Sequence, residues 1–382
     1  MEVLIIGKPA INIYLPLVEF PQEGDVFIIN SKNESVGSVS AVSACLLAKW
    51  GMKPYFTGVV GNDGYAEKIR NVFAEYKINT KFMETNFEHG TANNYFVLNT
   101  KSGVVTKIIY NDPSVELEKY KYDFQPDWAI MDGTDTAGAM ALLNNDHKVK
   151  TVFYARKADQ NTATLASKCT YVVCTQAYAE GLTKIKPNDN AESYVNLYQK
   201  IVDVSGKNNV IVILNNRKIL YCEENKVKVM PEMQINISDS SSFDSVFTGT
   251  LAFALMHDVK IDEAIKFANT SAAISLTKIG EEPAIPTLDE VLDNSGLRDQ
   301  FKSYKPADSK PEEAPAEEAT QEAPQAETPS ESTPNAFDQA PVETTQEQPA
   351  TSEAPPAEEK PVEEAPKEEA QEPQHEETNI FG

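Results

Sequence analysis

Histidine and tryptophan are scarce in this chain, with four and two among 382 residues, and its four cysteines stand apart. Cys169 and Cys174 have neither zinc-site spacing nor histidines nearby, so Cys45, Cys169, Cys174 and Cys222 are expected to be free thiols. His89, His147 and His257 are isolated in sequence and read as surface or core residues rather than metal ligands; Trp50 and Trp128 read as core. No apolar stretch approaches the ~20 residues of a membrane-spanning helix. Residues 1–7 have no cationic start and too short an apolar run for a secretion signal. A cytoplasmic location without membrane contact is therefore expected. A basic stripe is also missing, which argues against nucleic-acid binding.

The charge that is present is unevenly placed. From Lys305 onward there are 21 acidic and 4 basic residues, a net of −17 out of −24, which leaves −7 for residues 1–304. Thirteen of the 23 prolines lie there too, and Phe337 and Phe381 are that segment's only aromatics. Such a segment buries too little apolar surface to offset its ordering entropy. Residues 305–382 are expected to be a disordered acidic tail, extended by self-repulsion. Asn335-Ala336-Phe337-Asp338 and Asn379-Ile380-Phe381-Gly382 share an Asn-x-Phe pattern, and each Phe offers an apolar anchor to a protein partner. Short patterns of this kind also recur by chance.

Residues 1–304 are organised differently. Residues 2–7 and 54–60 are continuous apolar runs, as in buried strands. Residues 40–50, stopped by Gly51, and 64–76 read as helices. Strands at 128–132, 151–154, 171–174 and 210–214 then alternate with helices at 137–143, 162–167 and 191–204. A hairpin of 218–221 with 227–230 precedes helices at 244–257 and 261–277. Alternating strands and helices imply a mainly parallel sheet covered on both faces. Ligands of such sheets bind outside the carboxyl ends of the strands. Two hairpins break the rhythm, 14–20 with 25–30 and 95–98 with 104–109. They suit a small β lid drawn from about residues 12–35 and 88–110.

The chemistry is concentrated in Ser238-Asp239-Ser240-Ser241-Ser242-Phe243-Asp244-Ser245-Val246-Phe247-Thr248-Gly249. A polar turn runs into an apolar helix and puts Asp244 in the helix's first turn. Unpaired N–H groups at such an end attract anions, phosphate above all. A carboxylate beside them could take a proton from a hydroxyl that attacks the phosphate. The plainer alternative is that Asp244 caps a helix and the serines form a solvated loop.

Taken with Ala268-Asn269-Thr270-Ser271-Ala272-Ala273, Thr277-Lys278-Ile279-Gly280, Ile285-Pro286-Thr287 and Val59-Val60-Gly61-Asn62-Asp63, this stretch resembles the ribokinase/PfkB family of sugar and nucleoside kinases over roughly residues 1–295. The resemblance implies a ribokinase-like three-layer α/β sandwich with a β lid. It implies transfer of the γ-phosphate of ATP, with Mg, to a sugar or nucleoside hydroxyl. Asp244 would be the general base. Ser241, Ser242 and Phe243 would form the anion hole, with Asn269 and Asn215 in the nucleotide site and Asn12, Gly37 and Ser38 on the substrate. Family lids often pair between subunits, which implies a possible homodimer.

Several positions depart from the family pattern. Gly-Ala-Gly-Asp is here Ser241-Ser242-Phe243-Asp244, so a left-handed turn would be strained and the Phe243 ring would crowd the phosphate. The substrate aspartate is Asn12, and Gly-Gly-x-x-x-Asn becomes Gly37-Ser38-Val39-Ser40-Ala41-Val42. The metal-linked Asn-x-x-Glu aligns with Thr175-Gln176-Ala177-Tyr178, without its carboxylate, so no metal ligand is assigned. Two readings stay open: a divergent kinase, or a pseudokinase that keeps the fold as a binding module while the tail recruits partners.

Overall fold

The computed structural model describes residues 1–306 apart from 111, 113, 119–121, 147 and 305. His147 and the tail, with Phe337 and Phe381, lie outside the described residues.

The main sheet is built from β1 (Val3–Ile6), β4 (Tyr55–Val60), β5 (Asn79–Thr85), β8 (Trp128–Met131), β9 (Lys150–Ala155), β10 (Tyr171–Thr175), β11 (Val210–Ile213), β12 (Ile219–Glu223) and β13 (Lys226–Met230). Their order is β13-β12-β11-β10-β9-β8-β1-β4-β5, parallel except for the antiparallel β12 and β13 at one edge. The apolar runs mark strands buried on both faces. In β1, Val3 and Ile5 join one core, while Leu4 and Ile6 join the other. Helices α1 (Val39–Lys49), α2 (Gly64–Glu75), α7 (Phe243–Met256), α8 (Ile261–Ser275) and α9 (Leu288–Ser295) cover the first core. Helices α3 (Thr136–Asn145), α4 (Gln160–Lys168), α5 (Gln176–Thr183) and α6 (Ala191–Ser205) cover the second. The chain passes from β1 to β4 on one side and later returns to β8 on the other. A crevice therefore opens at the carboxyl ends of β1 and β8.

The lid is a separate sheet of β2 (Ala10–Leu17), β3 (Asn33–Gly37), β6 (Asn93–Asn99) and β7 (Val105–Tyr110), in the order β3-β2-β6-β7. The expected strand at 25–30 does not form; those residues are loop, and β2 pairs with β3 instead. Val26 and Ile28 are about nine-tenths exposed, so their apolar character marks no buried strand face here. Strand β5 and helices α5 and α9 were not anticipated. Strand β5 (Asn-Thr-Lys-Phe-Met-Glu-Thr) has no fully buried residue, and so lacks the continuous apolar run that marks its neighbours.

The lid is fastened to the turn ahead of α7. Ser240 N–H donates to Gly103 O at 2.8 Å, and Val105 N–H donates to Ser240 Oγ at 3.1 Å. Gly103 has φ of 69°, and a Cβ there would stand 2.5 Å from the Ile237 carbonyl oxygen. Only glycine permits that approach.

Candidate active site

The crevice between β1, β8 and the lid is lined by Lys8, Asn12, Ser38, Asn94, Arg156 and Glu281, among others, and encloses about 40 Å³. That is room for about three waters. The Lys8 ammonium donates to Asp112 O at 2.8 Å. Burial holds its pKa below the ordinary lysine value against the opposing pull of Asp135, Glu116, Asp112 and Asp132.

Asn12 is fully buried on the inner face of the lid, beside Ser35 and Asn94 on the neighbouring strands. Asn94 Nδ2 donates to Asn12 Oδ1 at 2.7 Å, while Asn12 Nδ2, Asn94 Oδ1 and Ser35 Oγ are buried without hydrogen-bond partners. Gly37 lets the Asn12 amide lie against its backbone, since a Cβ there would sit 2.0 Å from Asn12 Nδ2. Ser38 caps α1, accepting from Ala41 N–H at 3.2 Å, but does so at φ 82° and ψ 150°. The second family glycine has thus been replaced in a backbone region that glycine favours, at a cost of about 1–3 kcal/mol.

Asp244 stands in the first turn of α7, whose N-terminus the polar turn 238–242 brings to the ends of the parallel strands. From Ser241 to Thr250 it is the one residue that is not buried. Its Oδ2 accepts from the Tyr154 hydroxyl, on β9, at 2.5 Å. Burial foremost, and then the Asp244 charge, push the Tyr154 pKa well above its usual 10. Arg156, two residues on and beyond the end of β9, points to the same side and lies in the fields of Tyr154, Glu281 and Asp244.

The serine-rich turn corrects two expectations. None of its residues has positive φ, and Ser242 sits at φ −80°, so the strain expected from losing the glycines is not there. The Phe243 ring turns away into the core and stacks on Phe247 with centroids 6.1 Å apart, rather than standing in front of the helix. One backbone donor of the turn is nevertheless occupied. Ser241 N–H donates to Oδ1 of the fully buried Asp239 at 2.7 Å, and Gly280 N–H donates to its Oδ2 at 2.8 Å. Asp239 thus occupies one backbone N–H of the turn and ties it to Gly280. Ser242 Oγ pairs with Ser275 Oγ at 2.8 Å, and Ser241 Oγ with the Tyr14 hydroxyl at 3.0 Å. Lys107 reaches in from the lid to Ser241 O at 2.9 Å and Glu281 Oε1 at 3.2 Å, its ammonium 5.0 Å from the Phe96 ring centre.

The remaining sequence-derived positions are placed as follows. Asn269 is buried on α8 and donates to Pro231 O at 3.1 Å, so it ties the β13 exit to that helix. Asn215 lies in the exposed turn after β11, its N–H donating to Gln176 Oε1 at 3.0 Å. The segment 175–178, where β10 passes into α5, does not suit magnesium. The Thr175 hydroxyl donates to Arg156 O and caps Tyr178 N–H, Gln176 bonds Glu180, and the segment carries no carboxylate. Among the described residues no group of three or more His, Cys, Asp or Glu is placed to hold a metal ion. No described helix is long and apolar enough to cross a membrane.

Sequence reasoning missed Tyr154, Arg156, Lys107, Asp239 and Glu281. Glu281 had a signal, since it directly follows the Thr277–Gly280 family segment. Tyr154 and Arg156 sit at the end of an apolar strand that looks purely structural.

Comparison with known proteins gives the family and the fold. The family model for pfkB family carbohydrate kinases matches residues 2–288. The ribokinase of Haemophilus influenzae is 22% identical over 300 residues, covering 76% of this chain and 96% of that protein. The crystal structure of ribokinase from Thermotoga maritima is similar with TM-score 0.64 at 22% identity, over 76% of this chain and 98% of that one. The structure of Arabidopsis thaliana ribokinase complexed with ribose and ATP is similar with TM-score 0.63 at 15% identity, over 78% and 99%. With a ribokinase-like fold and a family match across nearly the whole described body, this chain belongs to the pfkB family of carbohydrate kinases.

Proposed function

We propose that this chain is a divergent PfkB-type carbohydrate kinase, acting in the cytoplasm to transfer the γ-phosphate of ATP to a sugar or nucleoside hydroxyl. The observation that carries the reading is Asp244. On a helix start where every neighbour from Ser241 to Thr250 is buried, that carboxylate alone keeps accessible surface. A residue serving only to cap α7 would accept from backbone N–H groups, whereas Asp244 accepts from Tyr154 across the site. Its Oδ1 is left to receive the proton of an attacking hydroxyl. Asn12, Gly37 and Ser38 would face the substrate, and the unpartnered amide atoms of Asn12 and Asn94 suit hydroxyl groups. The Arabidopsis relative, solved with ribose and ATP, supports the substrate pair by analogy. Magnesium has no fitting residue at 175–178, and no step is assigned to it. Asp244→Asn tests the reading: turnover of a sugar or nucleoside panel should fall by ~10²–10⁴-fold while ATP affinity stays within a few-fold. Equal turnover in the variant removes Asp244 from the chemistry.

The Asp239 carboxylate on the Ser241 and Gly280 N–H groups favours a second reading, a pseudokinase whose acidic tail recruits a protein partner through Phe337 and Phe381. Calorimetry of the full chain with ATP, and pull-downs comparing it with a Phe337→Ala, Phe381→Ala variant, separate the two. Absence of nucleotide binding together with Phe-dependent capture of a partner favours the pseudokinase.

A further inference from the structure

We propose that Arg156 is a catalytic residue of this chain, binding the transferred phosphoryl group beside a turn that has given up its Ser241 N–H. The proposal rests on the kinase reading above and starts from a shortage of donors. Ser241 N–H is spent on Asp239 Oδ1. Asp239, Asp244 and Glu281 place three carboxylates around the start of α7, so an incoming phosphate needs a cation that is free to meet it. Lys107 is committed to Ser241 O and Glu281. Lys8 is committed to Asp112 O and stands among four acidic side chains.

Arg156 is differently placed. Among the described residues no carboxylate lies within ion-pair distance of its guanidinium, although it lines the same crevice as Asn12, Ser38 and Glu281. The residue keeps accessible surface, and its guanidinium bonds the Tyr154 hydroxyl, which leaves the other donors of the fork for a ligand. It leaves the carboxyl end of β9 two residues after Tyr154, and Tyr154 holds Asp244, so strand geometry puts the guanidinium beside the base. Five N–H donors in a planar fork match two oxygens of a phosphate at once. The family-aligned stretch 238–249 holds no cation of its own, neither Lys nor Arg.

The step balances with the nucleoside triphosphate as co-reactant. The substrate hydroxyl oxygen bonds to the γ-phosphorus and its proton passes to Asp244. The bond from γ-phosphorus to the oxygen bridging the β-phosphate breaks, and its electron pair leaves with the nucleoside diphosphate. Arg156 donates to the non-bridging oxygens throughout and gains most when charge spreads over them.

The test uses the full chain, Arg156→Met and Arg156→Lys, with inorganic tripolyphosphate as the binding probe and ATP with a sugar and nucleoside panel for turnover. Thermal midpoints check that both variants fold, and Arg156→Lys keeps the charge if Arg156→Met does not fold. Tripolyphosphate affinity should fall at least tenfold in Arg156→Met and less in Arg156→Lys. Turnover in Arg156→Met should fall ~10²–10³-fold, with sugar KM within about threefold. The proposal is overturned if wild type does not bind tripolyphosphate, or if wild type and Arg156→Met bind it equally. If binding depends on Arg156 while nothing is phosphorylated, the phosphate contact stands and the kinase reading falls. If transfer occurs, depends on Asp244 and is indifferent to Arg156, the kinase reading stands and this role falls.

Discussion

The Tyr154 hydroxyl and the Asp244 carboxylate meet at 2.5 Å across ninety residues of chain, joining the end of β9 to the start of α7. A hydrogen bond to a charged acceptor contributes about 1.5–3 kcal/mol, and the accessibility of Asp244 lowers the figure. Tyr154→Phe should therefore lose about 1 kcal/mol at pH 7, read by urea unfolding. The alkaline side has a definite sign. Because burial and Asp244 raise the folded-state pKa of Tyr154 above 10, its stabilisation is whole below pH 10 and is lost as pH rises through the folded value. The wild type should accordingly lose stability more steeply above pH 10 than Tyr154→Phe. Parallel alkaline profiles would show that Tyr154 is not the group responsible.

Ser38 occupies a glycine-type conformation at φ 82°. Ser38→Gly should relieve strain of about 1–3 kcal/mol. It forfeits a few tenths for the cap and up to about 1 kcal/mol of unfolded-chain entropy. A net gain of about 1 kcal/mol is expected, seen as a rise in thermal midpoint. A drop of that size would mean the Ser38 hydroxyl bonds to Ala41 and Ser40 outweigh the strain.

Gly103 is the point where the lid meets the body. A side chain there would strike the Ile237 carbonyl oxygen, so Gly103→Ala should unfasten β7 from the turn at 237–240. Amide exchange of Val105 should speed up at least tenfold while exchange in β1 and β8 is unchanged. Unaltered protection of Val105 would show that the contact yields without releasing the lid.

Asp63 joins α2 to the lid entrance, its carboxylate accepting from Ala66 N–H at 2.9 Å, Thr91 N–H at 2.7 Å and Thr91 Oγ1 at 2.7 Å. Burial acts to raise its pKa, but these donors prevail and lower it from 3.8. A depressed folded pKa gives stability that is present above pH 3.8 and lost as pH falls through the folded value. Asp63→Asn should cost about 1 kcal/mol at pH 7, in the range of a lost N-cap. The gap from wild type should narrow as pH drops below about 4, and a gap constant from pH 7 to 3 would contradict the linkage.

Phe243→Gly now has a different expectation from the one its sequence neighbourhood invites. Because the ring packs on Phe247 in the core, removing it should cost about 3–5 kcal/mol and open no phosphate space. Improved nucleotide binding in a stably folded variant would refute that.

By itself the sequence determined the layers and the helix that bears Asp244. Runs such as Val3–Ile6 and Val210–Ile213 are apolar at every position, as in strands covered on both faces, and the polar turn before Val246 marks a helix start. The same local chemistry placed Asp244 in the first turn and set the lid hairpin around Gly103 apart. What tertiary structure alone decided is which ends converge. Apolar periodicity says which face of an element is buried and nothing about a partner ninety residues away. Tyr154 and Arg156 therefore read as the tail of an ordinary strand until the parallel order carries β9 to α7. The fate of the turn was decided there too. Ser241 N–H could face a ligand or a neighbouring carboxylate, and the fold supplied Asp239. Phe243 could face the crevice or the core, and the 14° stack on Phe247 took it inward, because burying an aromatic ring releases more free energy than leaving it in a polar cleft.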